Sequence, residues 1–285
     1  MLQINVYTDL FFASGISGAA AGLGYAGLLV QTPLGILSNM LLVPLLPVFA
    51  RLSAPEKRDE LIGRIRQGVM LSNASMLPLG ALMIALAGPI VALIYERGSF
   101  DAAAAQLVIG ILMAYGLGMP AYLARDVLVR VFYALGDGQT PFRISIGGIG
   151  LNVVFDWLLV GGPTPSGLLL PALNSGAPGL VLATVAVNLV SCVVLLLALR
   201  QRLGQLPLRS WGRDTLLLTT AALLAALAAW GMARGIQWPD DLVGLLLQVG
   251  LCGSVGALLY GLIASTLGVA EARQLGQQLR AKLPI

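Results

Sequence analysis

Two carboxylates in this 285-residue sequence sit where carboxylates are expensive. Asp9 and Asp156 fall within long apolar stretches that contain no Lys or Arg to balance them. An ionised acid at membrane depth costs at least about 2.5–3.5 kcal/mol, so an intramembrane acid is a functional candidate by default. Asn152 lies one helical turn before Asp156 and shares its face. Thr184, near the end of the next apolar stretch, adds a hydroxyl. Two carboxylates, an amide oxygen and a hydroxyl are hard oxygen donors without a fixed partner cation, a set that suits a hard metal ion or a proton. The competing reading leaves Asp9 facing water and Asp156 reaching outward from its helix end.

The elements that must position these groups follow from composition. The chain is 58% hydrophobic and only 11% charged, against roughly 25% charged residues in soluble domains. A hydrocarbon core about 30 Å thick needs about 20 apolar residues per helical span. Nearly charge-free stretches at 10–50, 67–95, 102–124, 157–199, 215–233 and 242–270 supply them. The first is long enough for two spans, and so is the fourth if it borrows 144–155 across Asp156. The expectation is an all-α polytopic bundle of about eight transmembrane helices, with the bundle over 1–266 and a cytoplasmic amphipathic tail over 267–285. No histidine is present, which removes Ser-His-Asp and His-ligated zinc chemistry and points away from an enzyme. Cys192 and Cys252 both lie inside apolar spans, as small buried hydrophobes do.

Loop charges give an orientation. Arg51, Lys57, Arg58, Arg64, Arg66, Arg125, Arg130, Arg143, Arg200, Arg202, Arg209, Arg213, Arg273, Arg280 and Lys282 fall on one set of connections, and only Arg97 and Arg234 on the alternate set. The positive-inside rule then puts both termini and the basic loops in the cytoplasm. Those charges are thereby accounted for, and no basic patch remains for nucleic acid. The first nine residues lack the basic and apolar regions of a signal peptide. They leave too little chain before Asp9 for a comfortable span, so the first helix is expected to be cut short at its N-terminus.

Local patterns add detail. Ser53-Ala54-Pro55-Glu56 reads as a capping box opening a short polar helix, in which Glu60 and Arg64 pair. After a break at Gly118-Met119-Pro120, 123–135 reads as a second amphipathic stretch, with Asp126 and Arg130 paired. Gly/Pro-rich 161–179 reads as a linker. Small residues four apart, at Ser14, Gly18 and Gly22 and at Gly231 and Gly235, permit close helix packing. Leu275, Leu279 and Leu283 suit a helix lying on membrane lipids.

Several stretches, in order, resemble the MurJ/MviN family of lipid II flippases, part of the multidrug/oligosaccharidyl-lipid/polysaccharide exporter superfamily. They are Asn5-Val6-Tyr7-Thr8-Asp9 with Phe12-Ala13-Ser14, Tyr95 to Phe100, Gly118 to Tyr122, and Arg130-Val131-Phe132-Tyr133-Ala134 followed by Asp137 and Thr140-Pro141. The resemblance covers essentially the whole chain and corresponds to the C-terminal eight of the family's fourteen helices. It implies a bacterial inner-membrane transporter that moves a lipid-linked peptidoglycan precursor by alternating access, with a missing N-terminal lobe as partner. It also implies a sodium ion (Na+) held by Asp9, Asn152, Asp156, Thr184 and the carbonyl of Leu180. One departure stands out: Gly27-Leu28 occupies the place of the family's cavity-facing Asp-Arg pair, and neither residue can bind pyrophosphate. An exporter of another lipid-linked oligosaccharide or a drug, and a non-transporting scaffold, are the alternatives.

The orientation is testable by cysteine labelling. Single cysteines replacing Arg58, Arg209 or Lys282 should resist a membrane-impermeant thiol reagent in intact cells, and one replacing Ser166 should react. Labelling at 282 from outside would overturn the assignment.

Overall fold

A computed structural model describes residues 2–96, 100–161, 173–204, 206–239 and 241–267. Among them are nine α-helices and one 3-10 turn: α1 (Leu2–Ala13), α2 (Ala19–Arg51), the turn Pro55–Lys57, α3 (Arg58–Ala85), α4 (Ala87–Tyr95), α5 (Ala102–Ala134), α6 (Gln139–Val160), α7 (Ala177–Leu203), α8 (Leu208–Gly235) and α9 (Leu242–Thr266). Seven are long and apolar enough to cross a membrane. The 12-residue α1 is not, and α3 and α4 are one span with a bend at Leu86. The seven with α1 make up the expected count of about eight. The chain is an all-helical polytopic membrane bundle.

In lipid, backbone groups must bond within their own helix, so helices associate through side-chain packing and close backbone approach. The centre is α5, which packs along α2, α3 and α7. Its buried face, including Ile111, Leu112, Met119, Leu123, Leu128 and Phe132, forms much of the main core. On one side α6 lies against α7, and α1 rests on both. On the other, α8 and α9 form a hairpin held by α3, through a stripe of small side chains at Ala221, Ala222, Ala225 and Ala229 on α8. Polar pins reinforce that seam: the Asn73 amide donates to Thr215 Oγ1 (3.0 Å) and the Tyr260 hydroxyl to the Ala74 carbonyl (2.9 Å). Helix starts are marked by Asp101 and Asp241, which accept from the backbone N–H groups of Ala104 and Gly244 (both 2.7 Å).

Several local expectations change. Ser53 does not cap a helix; its hydroxyl turns back to the Ala50 carbonyl. The polar segment from Arg58 is no separate loop helix but the first turns of α3. Arg64 donates to Gln67 on its own helix at 2.9 Å, in place of the expected bond to Glu60. No break follows Gly118: α5 runs through Pro120, as α3 does through Pro78 and α2 through Pro33, Pro44 and Pro47, because neighbouring helices hold the backbone where a lone helix would kink. Arg125, Asp126 and Arg130 are therefore part of a membrane helix. Gly231 and Gly235 face open space, and alanines make the α8 contact instead. Of the other small trio, Gly22 packs against Leu107 and Ile111, while Gly18 takes the left-handed turn (φ 74°) between α1 and α2. The expected tail lies outside the described residues, as do 162–172 of the linker.

The closest helix crossing sets a test. Gly80 on α3 faces the Gly116 carbonyl on α5 so tightly that a β-carbon at 80 would overlap it. Gly80→Ala should lower unfolding stability in detergent by roughly 1–3 kcal/mol. Gly88→Ala, which meets no atom within 4 Å, should not. Equal losses in thermal unfolding would count against this crossing.

Candidate functional site

Three helices bring the chemistry-bearing residues to one level. Asp9 is one turn from the end of α1, Asp156 one turn from the end of α6, and Thr184 about 10 Å into α7. The antiparallel course of α6 and α7 and the seat of α1 on both make those depths coincide.

Asn152 is the hub. Its side-chain amide nitrogen donates to Asp156 Oδ2 at 2.8 Å and to Asp9 Oδ1 at 3.0 Å, and its carbonyl oxygen accepts from the Thr184 hydroxyl at 3.3 Å. The carboxyl groups of Asp9 and Asp156 are themselves within hydrogen-bond reach of each other. Asn152 and Asp156 are fully buried and Asp9 is half-buried. Asp156 Oδ1 is buried with no hydrogen-bond partner among the described residues. Two adjacent acids in a dry site need positive charge, as a proton or a cation, between or beside them, and the orphaned oxygen marks the unsatisfied side. The four side chains named from the sequence thus form one cluster. Leu180 is buried one turn before Thr184. Its carbonyl, bonded once within the helix, keeps a second lone pair.

One supporting residue was not picked out from the sequence. Asn188, a turn beyond Thr184, donates its amide to the Thr184 carbonyl at 2.8 Å, stiffening α7 behind the hydroxyl. Its signal was an amide four residues after a hydroxyl in an apolar span.

The Arg130 to Pro141 block has a different role. It forms the turn between α5 and α6, where Asp137 accepts from the Thr140 backbone N–H (3.0 Å) and hydroxyl (2.7 Å). Arg202 at the end of α7 reaches across to Asp137 (2.5 Å) and to the Leu135 carbonyl (3.3 Å). Arg58 at the start of α3 donates to the Arg202 carbonyl (2.8 Å). Four helix ends are thereby tied at the face carrying the basic loops. The Thr140 donors, with Arg202, hold the Asp137 carboxyl below the usual carboxylate range. Asp126 makes no ion pair with Arg130. Leu28 stands exposed on α2, and Gly27 is buried beside it.

Comparison with known proteins gives the chain's relatives. The family model described as Lipid II flippase MurJ matches residues 1–246. A probable lipid II flippase MurJ of Synechocystis is 45% identical over 99% of this chain and 51% of its own length. One from Rhizobium meliloti is 30% identical over 96% of this chain and 48% of its own. The chain therefore spans about half the length of these curated relatives. A solved structure, a lipid II flippase MurJ in an inward closed conformation, shares the fold with a TM-score of 0.70 at 21% identity, over 93% of this chain and 50% of that one.

The Asp137 turn carries a pH prediction. A group whose folded-state pKa is depressed contributes stability above its unfolded value and loses it as pH falls through the folded value. Asp137→Asn should lower the melting temperature by about 2–4 °C at pH 6–7, roughly 1 kcal/mol. The gap to wild type should close below about pH 3.8, the ordinary aspartate value. A gap independent of pH would show that the carboxylate charge contributes nothing.

Proposed function

Since this chain belongs to the MurJ family of lipid II flippases, we propose that it forms one lobe of a transporter moving a lipid-linked peptidoglycan precursor across the bacterial inner membrane, coupled to sodium. The family is one of multi-pass membrane transporters, not enzymes. The observation that carries the coupling is the cluster of Asp9, Asn152, Asp156 and Thr184, two acids joined by one amide with Asp156 Oδ1 left unpartnered.

Bound sodium would supply the positive charge that lets both carboxylates remain ionised side by side. Asp9 and Asp156 would hold it, with oxygens from Asn152, Thr184 and the Leu180 carbonyl completing the shell. Asn152 keeps the two acids at one level, and Thr184 ties α7 to the same point. The cluster bridges α1, α6 and α7, so a conformation that draws α1 away separates the ligands and loses affinity. Unequal affinity for two conformations is what coupling requires. The membrane potential adds about 2.3 kcal/mol per elementary charge per 100 mV.

Alternating access needs two lobes about a shared site, and this chain covers about half of its relatives' length. The exposed face of α2, where Leu28 stands, brings no cation to a pyrophosphate. The second lobe must then supply the Lys or Arg donors that hold the headgroup.

Sodium titration of the purified chain tests the proposal. Sodium, and not potassium at equal ionic strength, should raise the melting temperature. Asp9→Asn and Asp156→Asn should each weaken that response at least tenfold, and Asp137→Asn should leave the sodium-dependent increment intact. In flippase-depleted cells the chain co-expressed with the first half of a full-length relative should restore growth, and its Asp156→Asn form should not. A sodium response that survives both acid substitutions would overturn the site; absence of rescue by the wild-type pair would overturn the transport reading.

A further inference from the structure

One buried hydroxyl near the acid cluster has no part in the proposed sodium shell. Tyr122 lies on α5, and its hydroxyl oxygen is shut off from solvent with no hydrogen-bond partner among the described residues. Its ring folds back over Gly118, where a β-carbon would sit 3.0 Å from it, so the hydroxyl points toward the start of α5. The turn between α5 and α6 puts the start of α5 at the same face as the end of α6, which is the face nearer the acids. Tyr115 stands two turns earlier on the same side of α5, about 10 Å along the axis. The Asp9 charge acts on both phenols, and the Tyr115 phenol acts on that of Tyr122. Meanwhile α1 packs on α6, α7 and α2 and not along α5, so the two side chains reach toward Asp9 across an interval between helices. A buried hydroxyl without a partner is uncommon in proteins, and here an acid lies within its electrostatic reach.

We propose that Tyr122 and Tyr115 are the second partners of the Asp9 carboxylate, taking it over when the cation leaves the cluster. This rests on the sodium reading of that cluster. Once the cation is gone, two carboxylates within hydrogen-bond reach repel each other, and the one that moves needs new donors, because an unpaired buried charge is costly. Asp156 is fully buried on the 22-residue α6, whereas Asp9 is half-buried on the 12-residue α1, so Asp9 is the one to move. The α6 and α7 side offers it nothing more: Asn152 gives one amide hydrogen to each acid, and Thr184, although within reach of Asp9, directs its single hydrogen to Asn152. On the α5 side two phenols each carry one O–H. In series, Tyr122 donates to the Tyr115 oxygen and Tyr115 to Asp9, which also satisfies the hydroxyl that is unpartnered in this conformation. The phenols thereby stabilise the cation-free arrangement and compete with the cation for Asp9. That gives a physical reason for unequal affinity in two conformations: one holds Asp9 at Asn152, the other at α5.

The test uses the purified chain in detergent, with sodium affinity measured by calorimetric titration against a potassium background of constant ionic strength. Tyr122→Phe and Tyr115→Phe, which keep the rings, should each raise sodium affinity about fivefold, the worth of one hydrogen bond. A packing role would leave the affinity unchanged and a role as a sodium ligand would lower it; either result overturns the proposal. The melting temperature in potassium supplies a readout that needs no sodium. There Tyr122→Phe should lower it by about 2–4 °C, should not do so in saturating sodium, and should have no effect on an Asp9→Ala background, which lacks the acceptor. An equal loss on both backgrounds, or no loss on either, overturns the proposal. If the wild-type chain shows no sodium response, the sodium reading falls, and the comparison of the two backgrounds in potassium alone decides whether the tyrosines hold Asp9.

Discussion

An apolar solvent gives apolar helices no reason to associate, and the architecture follows from how this chain solves that problem. The solution is the close approach of α5 to its neighbours. Gly80 and Gly116 let the backbones of α3 and α5 meet, and Gly118 and Gly110 admit Val185 and Pro178 of α7 in the same way. Dispersion between surfaces in contact is short-ranged, so removing the β-carbons at these points matters more than adding apolar area elsewhere. With α5 fixed, α2, α3 and α7 take their places around it, and α1, α6 and the α8–α9 hairpin attach to those.

Polar side chains then act at a few points where geometry, not area, decides. Asn73, Tyr260 and Asn152 each join helices far apart in sequence by bonds of 2.9–3.0 Å. In hydrocarbon the alternative to each bond is an unsatisfied group, which makes them specific. Asn152 differs from the others in joining two acids, so its cluster stays sensitive to whatever charge is present. The pins on α8 and α9 join neutral groups to neutral groups.

The two ends of the α6–α7 pair are built differently. At one end a buried acid cluster ties in α1, a helix of 12 residues that makes few other contacts. At the other, Arg202, Asp137 and Arg58 clamp four helix ends in water-accessible surroundings. A lobe clamped at one face and joined at the other by an acid cluster is the arrangement that the proposed coupling needs.

The apolar runs alone determined that the chain is a polytopic helical bundle, because the cost of unpaired backbone in lipid leaves no other option for runs of this length. The same desolvation argument singled out Asp9 and Asp156, and one-turn spacing placed Asn152 beside the latter. Tertiary structure decided the rest. Pro120 reads as a break from sequence, yet α5 continues because packed neighbours hold its backbone. Ser53 and Glu60 match local pairing rules, but water-exposed pairs are worth too little to fix a geometry, and other partners took their places. Gly231 and Gly235 carry a packing spacing but face outward, since spacing defines a helix face without saying which way it turns. Asp126 was legible as half of a pair with Arg130. The tertiary structure leaves its carboxylate exposed on α5, with no ion pair to Arg130.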